Sequence, residues 1–140
     1  MDLNIASEQE AAVTMLFSAV MYPHKNLNQS QIDQLSRMIV LSSKFRGNDL
    51  NELTKKALAS ASAHESHQTM QECAMYISDD FRETLFAMIC EIVTNEGSVD
   101  DHKTEILGLA ALCLDMSVER MKMMLTTYLI RNKWNVRVTD

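Results

Sequence analysis

Residues 81–117 read FRETLFAMICEIVTNEGSVDDHKTEILGLAALCLDMS, and the fold is decided there. Phe81, Leu85, Met88, Ile89, Ile92 and Val93 recur every three or four residues, which places them on one face of a helix. Ser78-Asp79-Asp80, just ahead, supplies a cap and puts two carboxylates at the positive end of the helix dipole. Thr94 to Val99 is a turn built on Gly97, and a second helix of the pair runs from about Asp100 to Leu114. Ile106, Leu107, Leu109, Ala110, Leu112, Cys113 and Leu114 cover nearly all sides of its second half, a pattern that predicts a central helix.

The same periodicity extends to both sides. A first helix spans Ser7 to Tyr22, opened by the capping-box pattern Ser7-Glu8-Gln9-Glu10 and stopped by Pro23. A second runs from Asn28 or Ser30 to about Phe45, and the turn Arg46-Gly47-Asn48-Asp49 caps a third carrying Leu50, Leu53, Ala57, Leu58 and Ala61. A fourth carries Met70, Cys73, Ala74 and Ile77. Ser117 caps a seventh with Val118, Met121, Leu125, Tyr128 and Leu129. Residues 1–6 and 132–140 read as tails, the second with Trp134, Val136 and Val138 alternating as an extended arm or a frayed coil.

At an offset of 72 residues the chain matches itself. Val13, Leu16, Phe17, Val20 and Met21 fall on Leu85, Met88, Ile89, Ile92 and Val93, and Leu35, Met38 and Ile39 fall on Leu107, Ala110 and Ala111. The expectation is one all-α domain over residues 1–140, a compact bundle of about seven helices with an internal pseudo-repeat of helical hairpins. Only 3 Gly and 1 Pro punctuate the chain, and 46% hydrophobic residues suffice for a core.

Charge narrows the function. A net charge of −6 argues against nucleic acid, which needs a basic footprint, and against docking on anionic lipid. No apolar run approaches the roughly 20 residues of a membrane span, so no membrane insertion is expected. The opening MDLNIASEQE has neither the basic nor the apolar region of a signal peptide, so a cytoplasmic location is expected. Cys73, Cys90 and Cys113 are odd in number and sit in apolar stretches, as buried free thiols do.

Asn95-Glu96-Gly97-Ser98-Val99-Asp100-Asp101, the apolar helix after it, and the exit Leu112-Cys113-Leu114-Asp115-Met116-Ser117 resemble the TerB-like (tellurite-resistance) family. The resemblance implies an all-helical fold with repeated hairpins and a part in bacterial stress responses. It also implies that acidic residues at the helix start bind a divalent metal. Carried onto this chain, those residues are Glu96, Asp100 and Asp101, with Glu105 one turn further; the family's recurrent Glu falls on Lys103. A hard cation needs several anionic oxygens, and a lysine among them is a departure.

Other constellations read as structure. His64 and His67 have the spacing of two zinc ligands, but their stretch is Ser-rich and fixes no third ligand. No thiol has a nucleophile's signature and no Gly-rich phosphate loop exists, so no catalytic residue and no cofactor are assigned. Met121 and Met124 are expected in the core and Met123 outside it, where flexible thioethers suit adaptable protein contacts. The sequence thus points to a non-enzymatic interaction module with a protein partner, a homodimer included.

Overall fold

The computed structural model describes residues 3–22, 26–94, 98–134 and 137–138. Its first helix, α1 (Glu8–Met21), begins where the Ser7 hydroxyl accepts the Glu10 amide at 3.1 Å. The return half of the capping box goes one residue further out, with Glu10 Oε2 accepting from the Ala6 amide. Every residue of α1 from Glu10 to Ala19 is buried. The reason is its position: α2 (Gln29–Leu41), α3 (Leu50–Ala63), α4 (Ser66–Ala74), α5 (Arg82–Val93) and α6 (Asp101–Cys113) all pack on it. Ala11, Ala12, Ser18 and Ala19 keep it thin enough for those neighbours to approach.

This corrects the expectation that the sixth helix is the central one. In α6 only Ile106, Leu107, Ala110 and Ala111 are buried, and Leu112 is 70% exposed. Its apolar residues do cover most sides, but one side meets no core. The second helix also ends earlier than expected, at Leu41. Ser42 breaks it, and a 3-10 turn over Ser43–Phe45 follows, which sends Phe45 into the core at 1% exposure.

The repeat is borne out in the elements themselves. Adding 72 carries α2 onto α6 residue for residue, and the cap Asn28, accepting from the Gln31 amide, onto Asp100, accepting from the Lys103 amide. It reaches further than hairpins. α3 and α7 (Val118–Arg131) are both 14 residues long and correspond at an offset of 68, because residues 42–49 join α2 to α3 where only residues 114–117 join α6 to α7. Two three-helix units therefore face each other, with α4 between them in sequence. A small cleft of about 50 Å³ is lined by residues of both units, among them the equivalent pairs Val20 and Ile92, Gln31 and Lys103, Gln34 and Ile106.

The chain ends are tied down where they are described. Leu3 is buried, and its amide donates to Glu72 Oε2. Arg137–Val138 (β2) pairs in parallel with Ser98–Val99 (β1), so these two residues of the expected arm are extended; Val136 lies outside the described residues. Ser78-Asp79-Asp80 does not cap α5 as expected. Phe81 occupies the cap position without a side-chain bond, and Asp79 instead pairs with Arg82 at 3.4 Å.

Ser78 is engaged elsewhere. Its amide and hydroxyl both donate to Glu8 Oε2 at 2.6 Å, while Lys44 Nζ sits 2.6 Å from Glu8 Oε1 and 4.5 Å from the Phe81 ring centroid. One carboxylate thus joins the start of α1 to the turn after α2 and to the α4–α5 loop. Partial burial raises the Glu8 pKa, but the bonds from Lys44 and Ser78 outweigh it and bring the group to about 2 from an ordinary 4.5. A depressed carboxylate adds stability above its unfolded pKa and loses it as the pH falls through its folded one. Glu8→Gln should therefore destabilise the protein at pH 7 by on the order of 1–2 kcal/mol in urea titration. The gap from wild type should shrink steadily from about pH 4.5 towards pH 2; a pH-independent gap would exclude the linkage.

Candidate functional site

An open, largely apolar surface lies between α6 and α7. A groove of about 350 Å³ is lined chiefly by Gly108, Leu109, Leu112, Met116, Val118 and Met121. The α2–α3 connection has room for the Phe45 turn, whereas the four residues from Leu114 to Ser117 have no counterpart to it. Leu112 at 70% and Val118 at 54% exposure stand on the rim. Gly108 sits within helix α6, where glycine costs about 0.5–1 kcal/mol relative to alanine. Within 4 Å of where its Cβ would stand there is nothing, so nothing within the described fold demands a glycine.

α7 forms the other wall and is held lightly. None of its residues is buried, and Met121, Met124 and Leu125 are half-buried against the core. Met123 is exposed, as its register predicts. Two polar clasps join it to α5. Arg120 grips Glu83 with Nε at 2.6 Å and Nη2 at 2.9 Å, a bidentate pair that lowers the Glu83 pKa and raises that of Arg120. At the other end the Tyr128 hydroxyl meets Thr94 Oγ1 at 2.6 Å. Burial raises the Tyr128 pKa, so its proton is retained and the bond stays neutral at physiological pH.

The residues proposed for metal are only partly brought together. Glu96 lies outside the described residues. Asp100 uses Oδ1 to cap α6, and the Lys103 amide that it accepts lowers its pKa. Asp101 and Glu105 are exposed and four apart, on one face of α6, but Glu105 also borders the apolar groove. Lys103 lines the small cleft between the two units. Among the described residues no three His, Cys, Asp or Glu side chains converge as a metal site requires.

His64 and His67 do not share a helix. His64 ends α3, Glu65 caps α4 by accepting the His67 and Gln68 amides, and His67 belongs to α4. The thiols are unpaired and inert. Burial pushes Cys73 up to about 12, with Glu72 and Glu10 adding to it; burial pushes Cys90 to about 12 against an opposing backbone bond, and burial alone pushes Cys113 to about 11. None is a thiolate at neutral pH. No helix among the described residues is long and apolar enough to cross a membrane. No known protein family, curated protein or solved structure matches the chain.

The contrast between α1 and α7 is measurable. In hydrogen exchange followed by mass spectrometry, α7 amides should exchange well before those of α1, since α7 can detach without opening the core. Equal protection in the two helices would show that α7 is part of the same cooperative unit.

Proposed function

We propose that the chain is a non-enzymatic helical interaction module that works in the cytoplasm, of the TerB-like kind associated with tellurite resistance and stress responses. The observation that carries this reading is the α6–α7 groove. It presents an apolar floor and exposed apolar rims on a molecule whose other large aliphatic side chains mostly fill one core. Contiguous exposed apolar surface of this kind is what protein partners cover. The free, protonated thiols suit a reducing compartment. Met116 and Met121 give the groove adaptable side chains, which suits a partner helix or a second copy of the chain.

The test is differential recovery. Wild-type chain and Leu112→Asp, which changes an exposed position and leaves the core alone, would be used as paired baits in cells of the native organism. A specific partner, or a homodimer on sizing, should be present with wild type and reduced about tenfold or more with Leu112→Asp. Identical profiles from two monomeric baits would defeat the proposal.

Divalent-metal binding at the start of α6 is the second reading, and the shared face of Asp101 and Glu105 favours it. Titration calorimetry with Ca²⁺, Mg²⁺ and Zn²⁺ decides it. Heat that disappears in Asp101→Asn supports the site, and silence for all three ions removes it.

A further inference from the structure

The two three-helix units are not equally surrounded. α1 is enclosed by α2, α3, α4, α6 and α5, and these neighbours also touch one another in that circular order. The repeat makes α5 the counterpart of α1. Around α5 stand α6, α7, α2 and α1, the counterparts of α2, α3, α6 and α5. Among the described residues nothing takes the place that α4 has beside α1, between the counterparts of α3 and α6. In that place a groove of about 480 Å³ runs along α2 and α5.

The lining residues tell the same story position by position. Thr84, Met88 and Glu91 on α5 correspond to Ala12, Leu16 and Ala19 on α1, all three buried. Exposed Ala87, which lies between Thr84 and Glu91 on α5 without lining the groove, corresponds to fully buried Met15. On α2, Arg37 and Leu41 correspond to the half-buried Leu109 and Cys113 of α6, yet Leu41 is 77% exposed. The berth under α4 is thus apolar and closed, and its twin mixes apolar floor with polar rim. Such a surface tolerates water when empty and still offers Met38, Leu41, Met88 and Ile92 to an occupant. Arg37 and Glu91 stand on opposite walls, and neither carries an ion pair among the described residues.

We propose that the α2–α5 groove is a docking site for a short amphipathic helix of a partner protein, seated as α4 is seated on α1 and α6. The occupant is two to three turns long, as the nine-residue α4 is. It presents Met- or Leu-type side chains to the floor, a carboxylate to Arg37 and a basic group to Glu91. The site is separate from the α6–α7 groove, so either can fail without the other.

The experiment pans a display library of helical peptides with a nine-residue core, apolar at every third and fourth position and random elsewhere, against the full chain. Leu41→Glu and Ala87→Arg, both at exposed positions, serve as counter-selection, with circular dichroism to verify their fold. Enriched peptides should bind either variant about tenfold or more weakly than wild type. They should carry an acid whose replacement by lysine weakens binding to wild type and restores it to Arg37→Glu. Three outcomes would overturn the proposal. One is no enrichment beyond the counter-selected chains, and another is peptides sensitive to Leu112→Asp but not to Leu41→Glu. The third is a wild-type dimer that Leu41→Glu converts to monomer, which would make a second copy the occupant.

Discussion

Everything in this molecule depends on how closely helices can approach α1. A helix enclosed on all sides can bury its full circumference, but only if its own side chains leave room for five neighbours. Ala11, Ala12, Ser18 and Ala19 provide that room, while Met15, Leu16 and Phe17 fill the spaces between neighbours. Each large apolar side chain so buried contributes roughly 1.5–3 kcal/mol. Backbone polar groups inside such a ring have no water, so helix is the conformation that satisfies them locally. Thr14 follows the same rule by returning its hydroxyl to the Glu10 carbonyl at 2.7 Å. Ser18 is the exception: its buried hydroxyl has no partner among the described residues, and its small size is the property that suits the position.

Much of this was legible in the sequence because it is local. Ser7, Asn28, Asp49, Asp100 and Ser117 stand at helix starts and each accepts an amide three residues on. The 72-residue offset was legible too, since apolar spacing is written in the chain. What periodicity does not carry is the identity of the neighbour. α6 is as apolar as a central helix, but apolarity records what a face tolerates and not what covers it. Ser78 looks like a cap and is taken by Glu8, 70 residues away, a competition invisible to any short window. Of the candidate metal residues, Asp100 stands at the helix start that periodicity marks, while the place of Lys103 and Gln31 in one cleft needed the fold. The grooves were the least readable, because each is a property of two helices and a missing third element.

The repeat also shows how two copies of one plan diverge. An eight-residue link with an aromatic turn seals α2 against α3, and a short link leaves α6 and α7 parted. α4 seals α1 and α6, while the equivalent seam on α5 and α2 has acquired Arg37, Thr84 and Glu91. Both differences leave the second unit more accessible than the first. One half serves as core for the whole, and the other keeps its surfaces available.

The two-residue strand pairing has a mechanical consequence. β2 follows α7 and lies parallel to β1, which precedes α6, so the pairing closes the α6–α7 hairpin into a loop fastened to the body at its far end. Tension drawn through the C-terminal side loads that pairing first, then the Tyr128–Thr94 bond, then the Arg120–Glu83 pair, in sequence and not together. A load applied in series breaks one link at a time. α7 would peel like a strip from its free edge while the α1-centred half keeps its shape, which makes this helix a compliant element on a stiff support.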